Sequence, residues 1–314
     1  MPNKHNIDIN FFPGWTRKSV TFSIDDGNFK LDKKFLEIMR PAGSLGTFNL
    51  VTSFMSAHTP DEFRELYEGY EIANHCKYHP LAMNPELEYK ISDEPFDKET
   101  SDPNYIYKTE IAEGLYWHKR PGTEKWLRVA DDEAYKRFTT LGREELEEIF
   151  GKGTIRGFCW PFHMQKNPGI HAWLKTPGYQ SIRRSICRDA SFSLPEDRAM
   201  WCINSWYSNL PDTAEAYDKL EDDGNLKFYC LGTHSHDFEN IDRWDLAEAV
   251  ANILGNRPDD FFYAGVSVIF DYEDAIKAAV VTDTEIINNS DLELYVKVDG
   301  EKVKIPARAT YKLG

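Results

Sequence analysis

Chemistry in this chain is expected first at two consecutive carboxylates, Asp25 and Asp26, which end the apolar segment 19–27. The β-branched and aromatic residues before them predict a buried strand, and α/β folds place reactive groups at the carboxyl ends of strands. Adjacent residues that leave a strand point in different directions, so one carboxylate can bind a cation while the other acts as a base. Gly27 allows a sharp turn there, although Asp-Asp-Gly alone is also a common surface turn.

Two histidines four residues apart, His75 and His79, directly follow a short strand predicted over residues 70–74. On a helical turn, side chains at this spacing share one face and can converge on a single ion. Two histidines, one carboxylate and open coordination positions are a ligand set for catalytic zinc or another divalent first-row metal. The pair alone is weak evidence, but its place at a strand end, like that of the aspartates, favours a metal site with Cys76 facing away.

A second histidine pair, His234 and His236, follows an apolar strand predicted over residues 226–232. A histidine at this position can be a general acid, a third metal ligand or a structural residue. Residues two apart on an extended segment point the same way, so the spacing does not separate the two. We expect a chemical role for at least one of them.

Another predicted strand leads into a stiff aromatic loop made of Trp160, Pro161, Phe162 and His163. This loop could form the wall of a substrate groove, and core packing is an equal alternative for its large aromatic side chains.

Arg183 and Arg184 close the strand predicted over residues 179–185. An arginine buried near Asp25 would keep that carboxylate ionised and oriented, although two arginines at a strand end are more often solvated.

The elements that must position these residues alternate between strands and helices, which predicts parallel strands with helical crossovers. Further strands are predicted over residues 44–50, 200–206 and 261–270 and within 154–163. Helices are predicted over residues 31–40, 141–151, 168–178, 211–224, 244–254 and 271–280, and after a capping box formed by Thr59 and Glu62. About seven strands with crossovers indicate an α/β fold, an irregular (β/α)7-type barrel.

Two segments depart from this alternation. Residues 84–140 are polar and rich in proline at first, then contain two aromatic-rich strands around an RPGTEK turn, so we interpret them as an insertion at the barrel mouth. Residues 281–314 alternate in polarity around Asp299-Gly300, a two-residue hairpin turn. The predicted division is therefore a catalytic barrel over residues 1–280 and a small β tail over residues 281–314.

Composition excludes several classes of function. The 37 basic and 52 acidic residues give a net charge of −15, which opposes binding to nucleic acids and anionic membranes. No run approaches the roughly 20 apolar residues of a membrane span, and no signal core is seen, so the chain as given is expected to be soluble and cytoplasmic, or secreted if a leader was trimmed. The five cysteines contain no CxxC motif and are expected to be small buried hydrophobes.

Three motifs together resemble the polysaccharide deacetylase family, also called the NodB-homology or carbohydrate esterase 4 family. SIDDG at residues 23–27 resembles the family's TFDDG, HCKYHP at 75–80 its HSxxHP, and LGTHSHDF at 231–238 its closing motif; the likeness spans about residues 18–280. The joint occurrence of the three in this order is specific, although it does not extend to the substrate.

The resemblance implies a role for each matching residue. Asp25 takes the position of the catalytic base, Asp26 with both histidines at 75 and 79 the metal positions, and His234 that of the general acid. TIRGFCWPFH resembles the family's RxPYG region, but Cys159 stands where the family has the arginine that orients the base. Arg183 or Arg184 is the expected replacement.

We therefore interpret the chain as a metal-dependent hydrolase that removes acetyl groups from an N-acetylated or O-acetylated sugar or oligosaccharide. One divalent ion is expected, with zinc favoured over cobalt, nickel or manganese. Substrate contacts are expected from Trp160, Pro161, Phe162, Arg183 and His236. The alternatives are hydrolysis of a linear or cyclic non-sugar amide, with the insertion as a lid, and a non-catalytic carbohydrate-binding barrel. The oligomeric state is not predicted.

Overall fold

The computed structural model describes residues 5–162 and 166–314, and for residues 185–187 it describes the backbone only. Within these ranges the helices are α1 Phe29–Met39, α2 Pro60–Leu66, α3 Asp132–Phe150, α4 Pro168–Leu174, α5 Leu210–Asp218, α6 Ser235–Asn240, α7 Asp245–Leu254 and α8 Val266–Ala278. The predicted capping box is confirmed at the start of α2, where Thr59 and Glu62 bond reciprocally.

A parallel sheet forms a nearly closed barrel at the centre of the molecule. Its strands are β1 Lys18–Asp26, β2 Thr47–Leu50, β3 Glu71–Asn74, β4 Gly157–Cys159, β5 Ser181–Arg188, β6 Trp201–Ile203, β7 Lys227–His234 and β8 Phe261–Tyr263. The order is β6-β5-β4-β3-β2-β1-β7, and β8 pairs with the first residues of β1. A parallel bridge between Ser205 and Leu231 joins the β6 end of the sheet to β7. The predicted (β/α)7-type barrel is thus confirmed.

Strand β1 is buried along nearly its whole length, and its two faces have different surroundings. Phe22 and Ile24 pack in the large apolar core with Phe35 of α1. The alternate residues Ser23 and Asp25 both accept hydrogen bonds from the Asn49 side chain on β2. Because side chains alternate across a strand, the same segment anchors the helical layer and presents a carboxylate on the other face.

The strand register brings the predicted site residues to one end of the barrel. Asp25 lies opposite Asn49 of β2 and His234 of β7, and Asp26 lies opposite Leu50. Leu50 in turn lies opposite Asn74, the residue before His75. The carboxyl ends of β1, β2, β3 and β7 therefore meet at the same mouth, as expected for parallel strands.

A five-stranded sheet follows β3 in the chain and precedes α3. It comprises Leu81–Ala82, Lys90–Ser92, Tyr105–Lys108, Leu115–Lys119 and Trp126–Ala130. The last two strands are the antiparallel pair predicted around the RPGTEK turn. The following helix begins at Asp132 rather than at Leu141, because the Asp131 side chain caps it by accepting a hydrogen bond from the Ala134 amide. We call the segment 81–130 the mouth sheet.

The prediction of one strand over residues 261–270 was wrong. Only β8 is extended, and helix α8 begins at Val266, with Ser267 donating hydrogen bonds from its amide and hydroxyl to the Glu71 carboxylate. The buried residues Val266, Ile269 and Phe270 have the spacing of one helix face, which a short apolar run does not distinguish from a strand.

Two small antiparallel sheets lie at the C-terminal end of the chain. One joins Ile7–Asp8 to Leu294–Val298 and Glu301–Ile305, and the other joins Val280–Val281, Glu285–Ile287 and Thr310–Lys312. Their apolar side chains form a cluster with Ala275 and Ile276 of α8. The hairpin turn is formed at Asp299-Gly300, where both residues have positive φ.

The cysteines differ from the expectation in one respect. Cys76, Cys159 and Cys230 are free and buried, as expected of small hydrophobes, but Cys202 is disulfide-bonded. Spacing alone does not predict which strand segments the fold brings together, so the sequence carried no signal for this bond.

None of the helices in the described ranges combines the length and the apolar character needed to cross a bilayer.

Candidate metal centre and active site

Three side chains converge at the barrel mouth in an arrangement that suits a metal ion. Asp26 Oδ1 lies 3.5 Å from His75 Nε2 and 3.4 Å from His79 Nε2. Ligands held about 2.0–2.2 Å from a tetrahedral zinc ion lie roughly 3.3–3.5 Å apart, so these separations fit one ion. Within the described residues Asp26 Oδ1 is buried without a hydrogen-bond donor, which is the state of an atom reserved for a cation.

The orientation of His75 is fixed from behind. Its Nδ1 lies 2.8 Å from the backbone oxygen of Cys159, and because a carbonyl only accepts, Nδ1 carries the proton. The lone pair of Nε2 is then directed at Asp26, as is usual for a metal-binding histidine. Burial would lower the pKa of His75, but Cys159 and Asp26 outweigh it and raise that pKa. Burial and the neighbouring His75 lower the pKa of His79 to about 3, which keeps it neutral.

The loop that carries these histidines is not the helical turn that we expected. Cys76 and His79 both have positive φ, as do Asp26 on β1 and Phe162 after β4. Non-glycine residues in this region cost free energy and tend to cluster where function requires them. Asn74 supports the loop by accepting a hydrogen bond from the Cys76 amide and donating one to the Thr139 carbonyl. The Cys76 thiol accepts a hydrogen bond from the Thr139 hydroxyl of α3, which agrees with the expectation that it faces away from the metal ligands.

Asp25 lies beside the triad in a different environment. It is 1% exposed, and its Oδ1 accepts a hydrogen bond of 2.8 Å from Asn49 and an ion-paired hydrogen bond from Arg183. Burial would raise the pKa of this carboxyl, but Arg183 and His75 outweigh it and hold the pKa below its usual value. Oδ2 has no donor among the described residues. One oxygen is thus held in place and the other is left for a reacting group.

Of the two candidate arginines, the structure brings Arg183 to the base. Arg183 is buried and also donates to Cys159 Sγ at 2.9 Å, whereas Arg184 is exposed. The guanidinium therefore reaches Asp25 from β5 across the small Cys159 side chain of β4.

His234 faces the triad from β7. Its Nδ1 lies 2.9 Å from Asp237 Oδ2, and its Nε2 lies 3.8 Å from Asp26 Oδ2. Burial would lower its pKa, but the hydrogen bond to Asp237 and the charge of Asp26 raise it overall. The Asp237 oxygen also accepts from the His234 amide and the Thr233 hydroxyl, which fixes the ring at the start of α6. Such a histidine can hold a proton and donate it towards the metal side.

The residues predicted to contact substrate are distributed unevenly. Phe162 is partly exposed with its ring 4.6 Å from that of His79, and His236 stacks on His234 at the same separation. Trp160 does not reach the site, because it is 1% exposed in the core beside Tyr135 and Phe158.

The other two residues predicted to contact substrate, Pro161 and Arg183, are buried, and Arg183 forms an ion pair with Asp25. His163 lies outside the described residues.

Sequence reasoning missed several supporting residues. Asn49 is an amide residue between Phe48 and Leu50 in the buried 47–50 strand, and this was the available signal for it. Asp32 on α1 is fully buried and accepts hydrogen bonds of 2.7 Å from Tyr67 and 2.6 Å from Ser235, next to His234. Burial raises the pKa of Asp32 to about 7. Its place in an ordinary amphipathic helix gave no indication of this contact.

The barrel, the Asp-His-His cluster and the flanking aspartate and histidine define a class of protein, the metal-dependent α/β-barrel hydrolases. A family model described as polysaccharide deacetylase matches residues 14–180, which is more than half of the chain. The chain belongs to the polysaccharide deacetylase family, as the motifs predicted.

Similar solved structures are distant in sequence. A Mycobacterium smegmatis protein described as a polysaccharide deacetylase has 16% identity and a TM-score of 0.50 over 88% of this chain and 96% of its own. Peptidoglycan deacetylase PdaC from Bacillus subtilis has 14% identity and a TM-score of 0.45, covering 84% of this chain and 94% of its own. A family 4 carbohydrate esterase from Streptomyces lividans has 12% identity and a TM-score of 0.43, covering 79% and 91%. Comparison with curated proteins finds no match.

Proposed function

We propose that the protein is a metal-dependent hydrolase that removes acetyl groups from an N-acetylated carbohydrate, with O-acetylated sugars as a further substrate class. The observation that carries the proposal is the convergence of three parts at one barrel mouth. These are the Asp26, His75 and His79 cluster, the buried carboxylate of Asp25, and His234 on the facing strand. A binding module has no need for all three together.

Asp26, His75 and His79 would hold the metal ion. A divalent ion bound there lowers the pKa of a water and polarises the acetyl carbonyl. We propose zinc, because one carboxylate and two imidazoles form a three-ligand set typical of catalytic zinc, and cobalt, nickel and manganese are the alternatives.

Asp25 would take a proton from the attacking water. Its ion pair with Arg183 and its hydrogen bond from Asn49 keep it ionised and oriented, with Oδ2 as the accepting atom. These two contacts restrict the carboxylate to one rotamer, so the base is in position before the substrate binds.

His234 would donate a proton to the leaving amine, because an amine is a poor leaving group without one. Asp237 holds the Nδ1 side and favours the protonated ring, so Nε2 carries the transferable proton. Phe162 and His236 would contact the sugar beside the reacting acetyl group.

The test is acetate release by the zinc-loaded protein from chitooligosaccharides, peptidoglycan fragments and acetylated xylan. The matched control is Asp25→Asn, which keeps the shape of the side chain, so the metal should stay while turnover falls by about 100- to 10,000-fold. Loss of the metal from Asp25→Asn would mean that the two aspartates have the opposite roles. No acetate from any substrate, with release of ammonia or acid from simple amides instead, would favour the non-sugar amide alternative.

We further propose that residues 1–280, with an insertion over about 84–140, form the catalytic barrel and that residues 281–314 are an addition to it. Deletion of the tail should expose the apolar face of α8 and reduce solubility, but leave zinc binding intact. A truncated protein that folds but binds no zinc would contradict this division.

A further inference from the structure

Arg128 on the mouth sheet stands apart from other partly buried arginines of this protein. Arg17 pairs with Asp8, Arg156 with Asp271, and Arg198 with Glu273. Across residues 5–162 and 166–314, no hydrogen bond or ion pair reaches the Arg128 guanidinium, which lies over the ring of Phe54 at 5.7 Å from the ring centre. The group is thus held in place by an aromatic ring while its five N–H donors stay unused.

The position of Arg128 ties it to the metal centre. Phe54, on which it rests, is 44% exposed in the turn after β2, and its ring lies 6.3 Å from that of His79. The charge of Asp26 acts on the guanidinium from within the site. The mouth sheet therefore places one cation at the rim of the proposed active site, beside a metal ligand.

An unpaired guanidinium at this place needs an explanation, because the chain offers many partners. Acidic residues exceed basic ones by 52 to 37, and burial, which lowers the pKa of Arg128, makes an ionic partner more favourable still. Its nitrogen atoms are not sealed from solvent, since none is among the buried unpartnered atoms of the described residues. At least part of the guanidinium is thus accessible to a ligand from solvent.

We propose that Arg128 binds a carboxylate of the substrate and so selects an acidic acetylated oligosaccharide. This inference rests on the proposed deacetylase function. The planar guanidinium matches a carboxylate in a two-point hydrogen bond, which a lysine does not reproduce. A cation at the rim would also offset the overall charge of −15, which disfavours the approach of an anionic substrate.

The experiment compares two tetrasaccharides of the same length on the zinc-loaded protein. One is the neutral N-acetylglucosamine tetramer, and the other alternates N-acetylglucosamine with N-acetylmuramic acid, whose lactyl ether adds a carboxylate. Arg128→Gln should lower kcat/KM for the acidic tetrasaccharide by about 10- to 100-fold, mainly through KM, because one charged hydrogen-bonded contact is lost. Activity on the neutral tetramer should change by less than about twofold.

Arg120→Gln is the matched control, since Arg120 is an exposed arginine in the turn that joins the last two strands of the same sheet. It should leave both substrates within about twofold of the wild type. Arg128→Lys should restore only part of the acidic preference.

Equal losses on both tetrasaccharides in Arg128→Gln would assign Arg128 a structural role under Phe54 and overturn the inference. A wild-type protein that shows no preference for the acidic tetrasaccharide would overturn it as well. If neither is deacetylated, the proposed function fails separately, and calorimetric binding of the two tetrasaccharides decides the inference. It then requires tighter binding of the acidic one by the wild type and loss of that difference in Arg128→Gln.

Discussion

The two histidine pairs of the barrel mouth differ in the angle between their rings. His75 and His79 have ring centres 4.8 Å apart and planes at 64°, whereas His234 and His236 are stacked at 4.6 Å and 22°. A histidine binds a metal along the lone pair in its ring plane. The first pair can therefore aim two lone pairs at one ion, and the near-parallel second pair cannot.

Proximity alone does not make this distinction. Asp26, His234 and His236 also bring ligand atoms within 4.8 Å of one another, as do Asp26, His75 and His79. We favour the group of Asp26, His75 and His79 as the metal site because of the angle between its two rings and because both histidine nitrogens lie 3.4–3.5 Å from Asp26 Oδ1.

The partners of the two Nδ1 atoms agree with this assignment. His75 donates to a backbone carbonyl and offers its lone pair, while His234 is held by the Asp237 carboxylate, which favours a protonated ring.

The largest effect is expected from His79→Ala, which removes one of three metal ligands. Zinc affinity and activity should fall together, with turnover reduced by more than about 10,000-fold, the upper range for loss of a single acid or base. Metal content after dialysis and acetate release measure the two quantities. Full zinc occupancy in His79→Ala would contradict the assignment of His75 and His79 as the pair that binds the metal.

His234→Ala should keep the metal and lose the acid. Hydrolysis of an amide should fall by about 100- to 10,000-fold, while an activated aryl acetate, whose leaving group needs no proton, should be hydrolysed at nearly the wild-type rate. In the wild type, kcat should decline as pH rises through the raised pKa of His234, and this alkaline limb should disappear in the variant. Normal amide hydrolysis by the variant would exclude general acid catalysis from His234.

Asp32→Asn tests the buried carboxyl group that accepts a hydrogen bond from Ser235, the residue between His234 and His236. The pKa of Asp32 is raised by burial from 3.8 to about 7, so between these values the unfolded chain releases a proton that the folded protein keeps. The contribution of Asp32 to the wild-type free energy of unfolding should therefore fall by about 4 kcal/mol as pH rises from 4 to 8, at about 1.4 kcal/mol per pKa unit.

Asp32→Asn lacks this titrating group. Urea unfolding of the metal-free proteins should therefore show the stability of the variant rising relative to that of the wild type between pH 4 and pH 8. At pH 4 the two proteins should be close in stability, because Asp32 is then protonated and asparagine has nearly the same shape, no charge, and likewise one side that accepts and one that donates towards Tyr67 and Ser235. Parallel stability curves for the two proteins would show that Asp32 does not hold its proton in the fold.

The smallest effect is expected from His236→Ala. This ring is the more exposed of its pair, and its Nε2 lies 3.9 Å from Asp237 Oδ1, beyond hydrogen-bond distance. KM should rise by a few-fold with kcat little changed, as for a residue that contributes uniform binding. Amide-selective loss of turnover here, with none in His234→Ala, would reverse the two roles.

The sequence was sufficient to predict the parts of this site that follow directly from strand ends. Asp25, Asp26, His75 and His234 each end or follow an apolar strand, and parallel strands bring such positions to one mouth. The barrel class followed from the alternation of strands and helices for the same reason.

Other features depend on packing between segments far apart in the chain. Arg183 and Arg184 were equal candidates for the arginine that pairs with Asp25. Side chains alternate along β5, and Arg183, which lies opposite Cys159 of β4, is the one directed towards Asp25. Trp160 was an ambiguous aromatic residue, and its burial against α3 decided in favour of the core. The unpaired state of Arg128 is likewise visible only once the mouth sheet is folded over the barrel.

The most direct test of the account is the location of the bound metal by anomalous X-ray diffraction from crystals of the zinc-loaded protein. The account predicts one anomalous peak about 2.0–2.2 Å from Asp26 Oδ1, His75 Nε2 and His79 Nε2, with Asp25 and His234 outside the coordination sphere. A peak bonded to His234 or His236 instead of His79 would contradict it.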